Sequence, residues 1–387
     1  MILLSYVSWG ALAYLLLRFV LPLGCGWPAK VLLALLLALV SSKYEIYEWS
    51  SGQFFAPDLP RWILLLLEAA YAALVLLFLL LVLRDAAALI LWLLRCCGWQ
   101  GAGWPGWLPP QAQRLGLAAL ALCCAIWGVW QGVRVPDVRS REIALPDAAP
   151  ALDGLRVVQL SDLHIGPLLK RDWLEAVVQR VNALEADVIV ITGDSVEGFP
   201  EQVAPDLAPL AALKARLGVY GVTGNHEYLY GVRNWLAALE GLGVHMLNNA
   251  HVLLAHNGAQ LVLAGVTDSR ARRSGGVQRN PAQALAGAPD DATVPRLLLD
   301  HRPHTLHANR QAGRVDVQLS GHTHGGVMFF LQPVIAAFND GFVRGLYRVG
   351  ETWLHVSPGT ALWNGFSCRL GIPAEISLLV LRTGGKP

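Results

Sequence analysis

Residues 155–166 read LRVVQLSDLHIG, and this stretch joins a short apolar run to polar side chains that commonly bind metals. Its first six residues are mostly apolar and β-branched, which is the pattern of a buried β-strand. Asp162 and His164 follow at once, and alternate residues of an extended segment point to the same side. The stretch therefore predicts a strand whose end directs a carboxylate and an imidazole at one point.

Four further polar motifs each follow a predicted strand downstream. They supply Asp194 after 187–192, Asn225 and His226 after 219–223, His301 after 296–299, and His322 and His324 after 315–319. Carboxylate, imidazole and amide ligands together suit Mn, Fe or Zn. Burying so many of these groups without a metal would carry a large desolvation cost. The set therefore predicts a metal centre.

The segment from 151 to 387 alternates strand and helix patterns. Helices are predicted at 171–184, 206–217 and 234–242, and further strands at 261–266, 353–356 and 375–381. This alternation predicts an α/β domain whose functional residues lie where strands end and loops begin.

The first third of the chain is far more apolar than the rest. The whole sequence is 54% hydrophobic and only 15% charged, which exceeds what one soluble domain normally shows. Apolar stretches at 2–23, 27–40, 62–83 and 115–133 predict four transmembrane spans, the third continuing as helix toward 94. We therefore expect a multi-pass transmembrane region over 1–133 in the cell membrane, followed by a polar linker over 134–150.

Charges in and around these spans give two further expectations. Basic residues that flank the spans, Lys43 among them, are balanced between the two faces, so the positive-inside rule selects no orientation. Glu68 lies inside the third span, where an ionisable group is by default a functional-site hypothesis. Because the sequence shows no second buried charge, we favour a carboxyl that fixes helix packing over one that lines a pathway.

The ordered motifs resemble the calcineurin-like metallophosphoesterase superfamily over about residues 155–382. Within it, SDLHIGP at 161–167 and GHTHGG at 321–326 are similar to the bacterial membrane-associated phosphodiesterase-like branch. The resemblance implies a four-layer sandwich of two mixed β-sheets flanked by helices, placed here behind a bundle of about four transmembrane helices.

The resemblance also implies roles for the motif residues. Asp162, His164 and His324 would hold a first divalent metal, Asp194 would bridge two metals, and Asn225, His301 and His322 would hold the second. His226 would steady the phosphoryl group or protonate the leaving oxygen, and a metal-bridging hydroxide would be the nucleophile. Two positions depart from the family pattern. Glu197 stands where Asp is frequent, and Val327 stands where the branch often has Gln.

Other polar residues have two readings each. Asp268 follows a predicted strand and is either a partner of a site residue or a loop cap. Arg270, Arg272 and Arg273 form a basic loop that could meet a phosphate or a lipid headgroup, although solvated loop charges are commoner.

These features predict a membrane-anchored two-metal phosphoesterase. The chemistry expected is metal-dependent hydrolysis of a phosphoric ester, with a phosphodiester favoured over a monoester and a lipid-linked substrate favoured by the membrane tether. The alternatives are a catalytically silent scaffold that keeps the fold and a membrane sensor. A formal net charge of only +2 argues against nucleic-acid binding.

Overall fold

The computed structural model describes residues 2–99 and 109–384. They form two compact units. The first holds Met1–Trp130 with Gly365–Cys368, and the second holds Gln131–Asn364 with Arg369–Pro387. The predicted domain bounds, 1–133 and 151–387, extend over residues outside the described ranges and stay a prediction.

The first unit is helical. Its helices are α1 (Ile2–Leu15, continued by a π-helical turn at Leu16–Val20), α2 (Trp27–Ser41), α3 (Lys43–Ser51), α4 (Arg61–Cys96) and α5 (Pro110–Val133). The predicted third span is thus one uninterrupted helix of 36 residues that runs past residue 94. In the described part of the chain, α4 and α5 are long and apolar enough to cross a membrane, whereas α1 and α2 are shorter apolar helices. The count of four spans stays a prediction.

Large apolar side chains project outward from α4 and α5. Leu66, Leu83 and Ile126 are 62%, 66% and 56% exposed, and many leucines and tryptophans of these helices are similar. Leaving such an extended apolar surface in water is unfavourable by about 25 cal/mol per Å². Exposed apolar surface of this extent marks contact with a membrane or a partner.

Glu68 of α4 lies at the centre of a buried polar network in the first unit. Its carboxylate is 2.6 Å from the ammonium group of Lys43, and neither residue is more than 2% exposed. The carboxylate also accepts hydrogen bonds from the Tyr47 hydroxyl and the Ser367 amide, and Lys43 donates to the Gly365 carbonyl. Lys43 begins α3 just after α2 and is a buried partner of Glu68, so the expectation that no second buried charge accompanies Glu68 was wrong. The preference for a packing role of Glu68 rested on the absence of such a partner.

Replacing Lys43 with Met is expected to destabilise the first unit strongly. Removing one member of a buried ion pair leaves the other charge uncompensated and costs about 3–5 kcal/mol. The double variant Lys43→Met/Glu68→Gln removes both charges and should recover most of that loss. Thermal unfolding of the full chain in detergent measures both effects, and equal destabilisation in the two variants would contradict this account of the network.

The described part of the second unit contains twelve strands. They are β1 (Asp137–Ala144), β2 (Arg156–Leu160), β3 (Val188–Thr192), β4 (Val219–Val222), β5 (Val244–Met246), β6 (Ala250–His256), β7 (Ala259–Gly265), β8 (Arg296–Leu299), β9 (Val317–Ser320), β10 (Gly345–Val349), β11 (Thr352–Val356) and β12 (Glu375–Arg382). The helices of this unit are α6 (Arg171–Asn182), α7 (Pro200–Leu207), α8 (Asn225–Leu229), α9 (Val232–Gly241), α10 (Ala271–Ser274), α11 (Pro281–Leu285), α12 (Leu306–Ala312) and α13 (Gln332–Ala337).

These strands build two mixed six-stranded sheets. The strand orders are β1-β12-β2-β3-β4-β5 and β10-β11-β9-β8-β7-β6. The first sheet contains one antiparallel pair, β12 with β2, and the second contains two, β10 with β11 and β6 with β7. All other neighbouring strands are parallel. Apolar residues of both sheets, such as Val190 and Leu319, form one core between them. Two mixed sheets with flanking helices confirm the predicted fold class.

Three local features differ from the sequence expectations. β1 occupies part of the segment expected to be a linker, and it pairs in parallel with β12. Strands β5, β6 and β10 were not predicted. The helix expected at 206–217 was wrong, because the chain forms α7 and then a 3-10 turn at Ala208–Ala212. Pro209 is the second residue of that turn, and proline lacks the amide hydrogen that a continuing α-helix needs.

Candidate metal centre

The five predicted motifs meet at one place, where strands of both sheets end. Asp162, Asp194 and Asn225 follow the ends of β2, β3 and β4 in the first sheet, and His301 and His322 follow β8 and β9 in the second. Parallel neighbouring strands carry their carboxyl ends to the same edge of a sheet, so the loops after them converge. The arrangement explains why motifs 160 residues apart in sequence contribute to one site.

The acidic and imidazole side chains form three overlapping clusters. The first joins Asp162, His164 and His324, the second joins His164, Asp194 and His226, and the third joins Asp194, His301 and His322. Within each cluster the potential ligand atoms all lie within 4.8 Å of one another. His164 and Asp194 each belong to two clusters. Asp194 is the one carboxylate that belongs to two of these three clusters.

The backbone at these residues is unusual. Five of the seven predicted ligands have positive φ angles: Asp162 (54°), His164 (42°), Asp194 (53°), His322 (71°) and His324 (48°). Residues other than glycine rarely adopt this left-handed conformation, and such strain concentrates at functional sites.

Neighbouring glycines permit the close approach of the loops. A Cβ atom on Gly224 would collide with the Asp194 carboxylate, and one on Gly321 would collide with the Asp162 carboxylate. The glycines of the GNHE and GHTHGG motifs therefore leave space for two of the predicted metal ligands.

Glu197 orients two histidines of the site. Its Oε2 atom is 2.9 Å from Nδ1 of His164 and its Oε1 atom is 3.0 Å from Nδ1 of His226, with Tyr230 donating a further hydrogen bond. A carboxylate that holds one ring nitrogen of a histidine fixes the direction of the other. For His164 that other nitrogen, Nε2, is buried and has no hydrogen-bond partner among the residues that the structure describes. This is the environment of a metal-ligating nitrogen.

Other contacts hold the carboxylates and His301 in place. Nδ1 of His301 is 2.8 Å from the Thr192 carbonyl, which leaves its Nε2 atom 3.2 Å from Asp194 Oδ2. Asp162 accepts hydrogen bonds from the Ser161 hydroxyl and the His322 amide. The amide of His226 donates to Asp194 Oδ1. Backbone and side-chain contacts thus fix the site before any ligand is bound.

Charges within the site shift the pKa values of Asp194, His301 and His226. Burial alone would raise the pKa of Asp194, but the charges of His301 and His226 outweigh it and hold that pKa well below its usual value. Burial opposes protonation of His301, yet the Asp194 carboxylate raises the pKa of His301 to about 10. His226 has its pKa raised to about 9, mainly by Glu197 and Asp194 against the effect of burial. The Asp194 carboxylate is therefore stabilised by positive charge beside it.

Asn225 and His322 share a contact that the sequence did not reveal. The guanidinium group of Arg302 lies 3.0 Å from Asn225 Oδ1 and 3.0 Å from His322 Nε2. Asp268 anchors the same guanidinium group through an ion pair of 2.6 Å, and it also accepts the amide of Arg270. Asp268 is thus both a partner of a site residue and a cap of its loop. A cation bound by Asn225 and His322 would take the place of this guanidinium contact.

Two supporting residues were missed in the sequence. Glu227 lies within the GNHE motif, and its carboxylate accepts hydrogen bonds from the amides of Asp194, Ser195 and Gly224. Arg369 is buried and donates to the carbonyls of Pro358 and Ala361 and, at 3.3 Å, to that of His324. The motif position was a usable signal for Glu227, whereas Arg369 stands alone in sequence and offered none.

The family model for calcineurin-like phosphoesterases matches residues 155–326. A metallophosphoesterase of Helicobacter pylori is 33% identical over 264 residues, covering 68% of this chain and 68% of that protein. A metallophosphoesterase of Aquifex aeolicus is 32% identical over 60% of this chain and 86% of its own length. This chain belongs to the calcineurin-like phosphoesterase family.

A bovine protein described as a transmembrane protein with metallophosphoesterase domain is 38% identical over 270 residues, or 67% of this chain. The present chain spans 60% of the length of that protein and of its zebrafish counterpart. Among solved structures, the NAD nucleotidase of Haemophilus influenzae matches with a TM-score of 0.39 and 15% identity, over 54% of this chain and 45% of that one. That likeness is too distant to carry an argument.

Proposed function

We propose that this protein is a membrane-anchored phosphoesterase that hydrolyses phosphoric esters with two divalent metal ions, drawn from Mn, Fe and Zn. The observation that carries the proposal is the set of three overlapping clusters that share His164 and Asp194. Imidazole and carboxylate ligands suit these metals. The apolar helices α1, α2, α4 and α5 are the proposed multi-pass anchor in the cell membrane.

The first and third clusters supply six of the proposed ligands, and Asn225 is added by the resemblance of its motif to the family. Asp162, His164 and His324 would hold one metal, Asn225, His301 and His322 would hold the other, and Asp194 would contact both. The unpartnered Nε2 atom of His164 and the positive charge demanded by Asp194 support this assignment. When bound, such a metal pair supplies positive charge to the phosphoryl oxygens and lowers the pKa of water.

His226 is assigned to the substrate. Its imidazole is slightly exposed, at 10% of the side chain, as is that of His324 at 8%. Glu197 fixes the Nδ1 atom of His226 and favours the protonated ring. An imidazolium ion in this position can steady a phosphoryl oxygen or donate a proton to the leaving oxygen.

Replacing Glu197 with Ala is expected to weaken metal binding by about 10- to 100-fold, because the ring of His164 loses the group that orients it. Titration of the metal-free protein with manganese measures this change. The conservative variant Glu197→Asp retains a carboxylate and introduces the residue that the family pattern favours at this position. It should bind metal more tightly than the alanine variant. Equal manganese affinities of the wild type and the alanine variant would show that Glu197 does not act through His164.

We further propose that the substrate is linked to a lipid. The segment that follows His324 exposes Phe329, Phe330, Val334 and Phe338 at 63%, 39%, 52% and 78% of their surfaces. It belongs to the second unit and comprises a 3-10 turn at Phe329–Leu331 and α13. Solvated aromatic side chains this close in sequence to a metal-ligand motif support contact with acyl chains.

The double variant Phe329→Ser/Phe330→Ser is expected to reduce hydrolysis of a phosphoester embedded in vesicles. Burying two phenylalanine side chains among acyl chains contributes roughly 3–5 kcal/mol to binding, and the variant loses this contribution. Turnover of a soluble p-nitrophenyl ester should change far less. A fair control is Val277→Ser, which alters an exposed apolar residue elsewhere in the second unit. Equal loss on both kinds of substrate would argue against a lipid contact.

The preference for a diester is a separate part of the proposal. Hydrolysis of bis-(p-nitrophenyl) phosphate compared with p-nitrophenyl phosphate by the full-length protein measures it directly. We expect the higher kcat/KM for the diester, and a higher value for the monoester would overturn this preference without affecting the metal assignment.

A further inference from the structure

A cavity lined by arginines lies beside the candidate metal centre. Its volume is about 740 Å³, and its lining residues are Ser269, Arg270, Arg272, Arg273 and Arg302. We refer to it as the arginine cavity. Every charged residue in its lining is positive, which sets it apart from an ordinary mixed-charge surface.

Arg302 connects the arginine cavity to the metal centre. The same guanidinium group that lines the cavity lies 3.0 Å from both Asn225 Oδ1 and His322 Nε2. Those two atoms belong to the proposed ligand set of one metal. When a metal takes those two atoms, Arg302 loses these contacts but keeps its ion pair with Asp268, so its guanidinium group stays between the metal centre and the cavity. A molecule bound at the metal centre can therefore reach the cavity by extending past Arg302.

Most of the positive charge in the arginine cavity is uncompensated. Asp268 forms an ion pair with Arg302. In the described part of the chain, the side chains of Arg270, Arg272 and Arg273 form no ion pair, and the Nε atom of Arg270 is buried without a hydrogen-bond partner. A concave site lined by one sign of charge raises the local concentration of the opposite ion. Solvated loop charges would not leave a buried guanidinium nitrogen unpaired.

We propose that the arginine cavity binds a second phosphate group of the substrate, whose scissile phosphoester lies at the metal centre. Each guanidinium group can donate two parallel hydrogen bonds to two phosphate oxygens. Several guanidinium groups around one cavity therefore favour a phosphate over a single carboxylate. The substrate class is then an organic phosphoester that carries another phosphate on the same molecule. The inference rests on the proposed function, because it presumes that the metal centre holds the first phosphoryl group.

Isothermal titration of the metal-loaded, full-length protein with methylphosphonate and with methylenediphosphonate tests this inference. We expect the diphosphonate to bind more tightly than methylphosphonate. In Arg272→Gln/Arg273→Gln the ratio of the two affinities should fall on the order of tenfold or more, because charge-assisted hydrogen bonds are lost. The ratio of the two affinities is compared between the wild type and the variant. Methylphosphonate binding reports altered folding of the metal centre, and chelation by the diphosphonate is common to both proteins. Arg233→Gln, at an exposed arginine of α9, is the matched control.

An unchanged advantage in the double variant, or an equal fall in Arg233→Gln, would overturn the inference. Two methylphosphonate molecules bound per chain with no advantage for the diphosphonate would assign the cavity to a separate anion and would also overturn it. Because the readout is binding, it does not depend on turnover. If the protein hydrolyses no ester but still binds the diphosphonate more tightly in an arginine-dependent way, the phosphate-binding role of the cavity stands and the hydrolase function is rejected.

Discussion

Asp194→Asn is expected to lower phosphodiester hydrolysis by at least about a thousandfold, since loss of a single preorganised electrostatic contact already costs up to about that much. Asp194 contributes to two clusters, and its Oδ2 atom lies 3.2 Å from His301 Nε2 and 3.9 Å from His164 Nε2. Asparagine has nearly the same volume and keeps an oxygen for the His226 amide, so the fold should survive. What disappears is the negative charge between the proposed metals.

Metal content and kcat/KM of the full-length variant measure this loss. The variant should retain fewer than two metal ions per chain, because the shared ligand is neutral. Asp147→Asn, at an exposed aspartate outside the site, is the matched control and should behave as the wild type does. Hydrolysis within tenfold of the wild type by an Asp194→Asn protein would remove Asp194 from the mechanism.

His226→Gln is expected to slow hydrolysis by about 10²- to 10⁴-fold when the leaving group is an alkoxide, the usual range for loss of a general acid. Metal content should stay unchanged, since this side chain is assigned to the substrate. Its effect should depend on the leaving group. A p-nitrophenolate ion departs without a proton, so a proton donor contributes little to its release.

The comparison of alkyl and p-nitrophenyl esters thus separates the two roles of His226. A large loss for alkyl esters alone identifies a proton donor, whereas an equal loss for both identifies a group that steadies the phosphoryl oxygens. Loss of metal from His226→Gln would contradict both roles. It would instead identify His226 as a metal ligand, together with His164 and Asp194 of the same cluster.

Much of the second unit could be predicted because each site residue directly follows an apolar strand. The runs before Asp162, Asp194 and His301 are β2, β3 and β8, buried at nearly every position. The helix predicted at 171–184 is α6, which buries Leu174, Val177, Val178 and Val181 along one face. Short, fully buried strands can be recognised in a sequence as continuous runs of apolar and β-branched residues. The site residues then lie at the carboxyl ends of these strands.

Features that depend on distant partners could not be predicted. β1 is largely exposed on one edge of its sheet and lacks an apolar run, so only its pairing with β12 makes it a strand. Lys43 resembles an interfacial cation until Glu68 is seen beside it. Arg302 follows His301 directly, but its contacts with Asn225 and Asp268 come from other loops. Local patterns contain no information about such pairs.

The most direct test is hydrolysis of bis-(p-nitrophenyl) phosphate by the purified full-length protein, after removal of metals and again after addition of manganese, with the bound metal counted in the same samples. We predict no turnover in the metal-free protein, and turnover that rises with manganese and saturates at two ions per chain. A folded protein that holds two metal ions and cleaves neither this ester nor a vesicle-embedded phosphoester, or one that cleaves them without metal, would contradict the account.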